Sequence, residues 1–196
     1  MTMPYDAMSQ TSDDALLVLY ANGDAAAAGA LTARLTPRIF GYAARVLGDR
    51  AEAEDVTQEA MIRLWKQAPT WRQGEAKVST WLYRVAVNLC TDRLRKKRGL
   101  GLDEIAEPVS QAASADAKLI ADDRAAALQA ALGTLPDAQR QAVVLRHIEG
   151  HSNPDIAQIM EISVEAVESL TARGKRGLTA ALSGQKEALG FENDPS

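Results

Sequence analysis

A chain of 196 residues is long enough for one or two domains, each with a core of its own. Hydrophobic residues make up 46% and charged residues 24%, an ordinary soluble balance, and no apolar run approaches the roughly 20 residues that span a bilayer. Aromatics at 5% beside abundant alanine favour helices over sheets, and a net charge of −4 excludes a chain that coats nucleic acid indiscriminately.

The opening MTMPYDAMSQTSDD lacks the basic start and apolar middle of a signal peptide, so a cytoplasmic protein with no membrane insertion is expected. Residues 13–34 read as helix, with a break at Asn22-Gly23 and Asp24 as the N-cap of the resumption to Leu35. Pro37 is expected to open a further helix that buries Ile39, Phe40, Ala43, Val46 and Leu47 and closes at Gly48. Asp49 with Glu52 resembles a capping box and starts a helix that runs through Gln67 and ends at Pro69.

That helix, DVTQEAMIRLW, sets Val56, Ala60, Met61, Leu64 and Trp65 on one stripe, because they recur at spacings of three and four. Asp55, Gln58, Glu59, Ile62 and Lys66 fall on another face, which is left for a partner. After a polar loop, STWLYRVAVNLCTDRLRKKR turns Trp81, Leu82, Val85, Ala86 and Leu89 inward and then becomes basic. Cys90, the single cysteine, excludes an internal disulfide and reads as a small buried hydrophobe. Two tryptophans, Trp71 and Trp81, bracket the loop before this helix. Bases can stack on such rings while the cations neutralise phosphates, which suits a strand of nucleic acid.

Residues 84–98 hold Arg84, Arg93, Arg95, Lys96, Lys97 and Arg98 against Asp92 alone. Residues 103–123 hold Asp103, Glu104, Glu107, Asp116, Asp122 and Asp123 against Lys118 alone. The acidic stretch is able to screen the basic one, but from charge counts alone a solvated linker beside a solvated helix end is the preferred reading. GLGLDEIAEPVSQAAS, from Gly99 to Ser114, has turn formers and little periodicity and reads as a linker.

Helicity returns near Asp116 and stops at Gly133. Thr134 to Asp137, with Pro136 in the first turn, is expected to start a helix that ends at Gly150. Asn153-Pro154 begins another, and after a break at Glu161-Ile162, Ser163 caps the last, whose Val164, Val167, Leu170 and Leu178 share a stripe. Two helices joined by so short a turn make a helix-turn-helix with Glu165, Glu168, Ser169, Ala172, Arg173 and Arg176 facing outward. A plain helical hairpin with a solvated charged face fits the same spacing. His147 and His151 stand four apart, but Gly150 interrupts the helix between them, so neither a metal site nor a cofactor is expected. No phosphate-binding loop or nucleophile–base pair points to an enzyme.

Together, AEDVTQEAMIRLW (53–65), WLYRVAVNLCTDRLRK (81–96), LPDAQRQAVVLRHIEG (135–150) and SNPDIAQIMEISVEAVESL (152–170) resemble a bacterial sigma factor of the extracytoplasmic-function type. The resemblance implies an all-α protein of two small helical domains joined by a flexible linker. Region 2 would span 10–98, the linker 99–115 and region 4, the helix-turn-helix, 116–184, with 185–196 as a tail. Such a protein binds core RNA polymerase through β′ and β, directs it to promoter DNA, and performs no chemistry.

By the same resemblance, Asp55, Gln58, Glu59, Ile62, Arg63 and Trp65 lie on the helix that docks the β′ clamp. Trp71 and Arg72 match the loop that captures a flipped base of the −10 element. Asn88 stands at a polar reading position, with Arg84, Arg93, Arg95 and Lys96 on phosphates or strand. Glu165, Glu168, Ser169, Ala172, Arg173 and Arg176 face the −35 element. VESLTARGKR departs from the usual V-[KR]-S-R-x-x-R-A-R, and Glu168 either accepts from a cytosine amino group or weakens phosphate binding. An anti-sigma factor, often membrane-anchored and stress-sensing, is the implied inhibitor. The alternatives are a free-standing helix-turn-helix regulator, which leaves DVTQEAMIRLW unexplained, and a sigma mimic that sequesters another protein and has no need of Trp71 with Arg93–Arg98.

Overall fold

Ser12, Asp24 and Asp49 lie just outside three helix starts, where a short polar side chain accepts from backbone N–H groups that have no partner within the helix. In the computed structural model, which describes residues 8, 10–72, 74, 76–99 and 116–186 (116–123 and 184–186 by backbone only), all three do so. Ser12 begins α1 (Asp13–Ala21), Asp24 begins α2 (Ala25–Leu47), and Asp49, accepting from the Glu52 N–H at 3.1 Å, begins α3 (Arg50–Gln67). A single 3-10 turn, Ala68–Thr70, ends α3 at Pro69, and α4 covers Val78–Gly99.

One expected boundary is corrected. Pro37 opens no helix; it lies inside α2, which runs unbroken from Ala25 to Leu47. An interior proline removes a backbone donor and costs about 3 kcal/mol in an isolated helix. Here Leu31 and Leu35 before it and Ile39 and Tyr42 after it are all buried on one stripe, and burial of each such side chain returns roughly 1.5–3 kcal/mol. Packing on both sides therefore outweighs the break.

The second half comprises α5 (Asp116–Gly133), α6 (Asp137–Val143) with a π turn at Val144–Ile148, α7 (Asn153–Met160) and α8 (Val164–Lys186). Thr134 does not cap α6: its hydroxyl donates back to the Ala131 carbonyl at 2.8 Å, and Pro136 holds the cap position. Gly150, at φ +77°, stops the π turn in a left-handed conformation that a side chain would strain. The start of α7 is set by a reciprocal cap between Ser152 and Asp155. Glu161 takes the left-handed position at its end, φ 56°, and Ser163 accepts from the Ala166 N–H to launch α8. Every regular element among the described residues is helical.

The two helical halves also meet in a shared core. Leu16, Leu31, Ile39, Leu64 and Leu82 of the first half and Leu132, Leu145, Ile156 and Val167 of the second belong to one continuous buried cluster. The linker at 100–115, the tail beyond 186 and the side chains of the acidic block, with the screening considered for them, lie outside the described residues.

Candidate nucleic-acid interface

The stripe of α3 packs as its spacing requires: Val56, Ala60, Met61 and Leu64 are buried. The opposite face presents Asp55, Gln58 and Ile62 to solvent, and Ile62 is 39% exposed. Glu59 and Arg63 pair with each other at 2.8 Å along the helix. Trp65 turns toward the core and meets the Tyr20 ring edge-on at 4.8 Å, so it supports this face from behind. A groove of about 410 Å³ lies along the face, between Gln58, Ile62 and Arg63 of α3 and Leu89 and Arg93 of α4.

The cations of α4 are distributed among several acids. Arg93 bridges to Glu52 and lies 3.7 Å from Asp55, tying α4 to α3. Arg95 pairs with Asp92 at 2.6 Å within the helix. Arg84, a strand-binding candidate, reaches Glu161 at 3.5 Å, and Arg98 at the end of the helix reaches Asp137, so two cations of α4 touch acids of the second half. Asn88, Lys96 and Lys97 are exposed and have no hydrogen-bonding or ionic partner among the described residues. Before the helix, Trp71 is half-buried and meets Trp81 edge-on at 6.1 Å, while Arg72 is exposed. The two rings form an aromatic wall at the start of the basic helix.

On α8, Val167, Thr171 and Gly174 are buried against the scaffold. Glu165, Glu168, Ser169, Ala172, Arg173 and Arg176 are all exposed, as the spacing requires.

Residues 31–99 match the family model Sigma-70 region 2, and residues 125–178 match Sigma-70, region 4. The chain is 30% identical over 186 residues to the RNA polymerase sigma-H factor of Pseudomonas aeruginosa, covering 89% of this chain and 96% of that one. It is 31% identical over 156 residues to the ECF RNA polymerase sigma factor SigW of Bacillus subtilis, covering 74% and 83%. The chain belongs to the extracytoplasmic-function sigma factors. These are transcription initiation factors, not enzymes. Among solved structures, CnrH in complex with the cytosolic domain of CnrY superposes with a TM-score of 0.65 at 26% identity, over 88% of this chain and 97% of that one. The sigma factor RpoE of Bartonella quintana, solved with the anti-sigma factor NepR, shares the fold with a TM-score of 0.61 at 21% identity, over 78% and 94%.

Sequence reasoning missed the polar seam between the two halves of this sigma factor. Gln141 is buried; its amide oxygen accepts from the Tyr42 hydroxyl at 3.2 Å and its amide nitrogen donates to Thr91 Oγ1 at 3.1 Å. Thr91 donates onward to the Val87 carbonyl at 2.8 Å, so the relay is satisfied from end to end. Arg140 and Gln129 donate to the Val46 and Arg45 carbonyls at 2.6 and 3.1 Å, which are left over at the end of α2. Tyr83 donates to Glu149 at 2.6 Å, and the His151 ring lies edge-on to it at 4.5 Å. Burial raises the Tyr42 and Tyr83 hydroxyls far above the ordinary tyrosine value, so both remain donors. The available signal was Gln141 standing one place before the apolar run Ala142–Leu145, where an unpartnered amide would be costly.

Proposed function

We propose that the exposed face of α3, with Asp55, Gln58, Glu59, Ile62 and Arg63, docks core RNA polymerase at the β′ clamp, with Trp65 fixing the helix from behind. The observation that carries this is Ile62, a large apolar side chain exposed between Gln58 and Arg63 beside a groove. Trp71 and Arg72 then receive a flipped base of the −10 element, since stacking on an aromatic offsets the few kcal/mol that extrusion costs. Asn88 reads the strand, while Lys96, with Arg84, Arg93 and Arg95 as their acidic partners exchange for phosphates, holds its backbone. Residues 165–176 of α8 enter the major groove of the −35 element. Residues 10–98 and 116–184 act as regions 2 and 4, and the linker 99–115 gives each a high effective concentration once the other is bound.

The protein works in the cytoplasm, where an anti-sigma factor, membrane-anchored in many systems and released under stress, restrains it. CnrH and RpoE, each solved with an inhibitor or partner domain bound, support a protein inhibitor here. The test adds the purified chain to core polymerase and measures association and promoter-directed transcription. Wild type is expected to do both, and Ile62→Asp to lose association by tenfold or more. A wild-type chain that ignores core polymerase overturns the reading.

A further inference from the structure

Three acids crowd the start of the helix that faces DNA, and the structure treats them differently. Glu161 is turned toward Arg84, 3.5 Å away. Glu165 folds back on its own helix start, where its backbone N–H and the Ser163 hydroxyl hold its carboxyl below the usual range. Glu168, one turn further on, is fully exposed, with no hydrogen bond or ion pair to its carboxylate among the described residues. Its neighbours on the outward face are Ser169 and Ala172, while the cations Arg173 and Arg176 come one and two turns later.

We propose that Glu168 is a specificity-determining residue that reads a cytosine in the −35 element. The inference rests on α8 being the helix that enters the major groove. The early turns of such a helix face base edges, and the later ones reach the phosphates. A carboxylate brought there without a donor would be repelled by both rims. The groove floor offers only two amino donors, cytosine N4 and adenine N6. Adenine N6 lies between two acceptors, its own N7 and the paired thymine O4, which repel a carboxylate, whereas cytosine N4 has an acceptor on one side only, the paired guanine O6, and the C5–H on the other.

The test transcribes a promoter library, randomised at both elements, with core polymerase and the full chain, and sequences the successful templates. Wild type is expected to select cytosine at one upstream position by about 5- to 140-fold, the range of a good base contact. Glu168→Gln should move that position to adenine, whose N6 and N7 suit an amide. Glu168→Ala should flatten it and leave the other positions alone. If both variants keep the wild-type base profile, or transcribe every template uniformly better, the proposal is overturned while the sigma-factor reading stands. If wild type selects no promoter, that reading falls and the proposal with it. Glu168 is exposed, so both variants are expected to fold, checked by their melting curves.

Discussion

Tyr83 on α4 donates a 2.6 Å hydrogen bond to Glu149, the residue that closes the π turn, so a ring buried in region 2 ends on a carboxylate of region 4. Hydrogen bonds to charged groups contribute about 1.5–3 kcal/mol when the partner is left stranded. Glu149 is half-exposed and turns to water when the hydroxyl is removed, so Tyr83→Phe should cost the lower end, about 1–2 kcal/mol. Urea unfolding should show the loss, and amide exchange should quicken in α6 and α7 more than in α2. Equal exchange in all three would mean that this bond does not hold the halves together.

Arg93 bridges two carboxylates of α3, Glu52 and Asp55, before any DNA is present. If it braces the two helices, a double-mutant cycle of Arg93→Ala and Glu52→Ala should give a coupling near 1 kcal/mol in the free protein, because both side chains are partly exposed. The coupling should shrink as salt is added. A coupling of zero would leave Arg93 as a strand contact only.

What could be read beforehand divides along a physical line. Caps and stripes are local, so Asp24, Asp49 and Ser163 and the faces of α3 and α8 were legible from spacing alone. Pro37 misled because its cost is local, while the packing of Leu35 and Ile39 that overrides it is not. The seam was hidden for the same reason: Tyr42 and Gln141 are 99 residues apart, and nothing in either neighbourhood names the other. Charge counts favoured a solvated linker at 103–123 over a screen for the basic helix, and those side chains lie outside the described residues. The described partners of Arg84 and Arg98 are Glu161 and Asp137, single residues with no block to advertise them.

His151 gives the seam a pH dependence whose sign can be worked out. Burial first, then the Arg38 and Lys77 cations, lower its pKa against the opposing pull of Asp155 and Glu149. The native state therefore binds fewer protons than the unfolded state below the ordinary histidine value of about 6.5, and stability is lost as pH falls through that window. His147, lowered by burial, Lys175 and Arg146, adds in the same direction. Asp155 and Glu165 are lowered carboxylates, and their contribution is lost only in more acidic solution. Between pH 7.5 and 5.5 the urea midpoint should drop in wild type and drop less in His151→Phe, which keeps a ring against Tyr83. Parallel slopes would remove His151 from the account.

Gly174 stands where the family pattern carries alanine, and the packing of α8 on α6 supplies the reason. A Cβ at this position would lie 2.5 Å from Val143 Cγ2 and 3.1 Å from the Gln139 carbonyl oxygen. Val143 is buried and β-branched, and the carbonyl is backbone, so neither can retreat cheaply. Gly174→Ala should gain about 1 kcal/mol of helix propensity and lose more than that to overpacking, which costs about 1–3 kcal/mol. Gly29 is the control, since it is also helical but has nothing within 4 Å of its Cβ position. Gly29→Ala should therefore raise the melting temperature while Gly174→Ala lowers it, although the chemical change is identical. The same shift should loosen the seating of the reading helix, so Gly174→Ala should also reduce promoter-directed transcription at temperatures where the protein remains folded. Should both variants be stabilised alike, α8 does not approach α6 this closely, and the direction in which Glu168 is aimed would have to be drawn again.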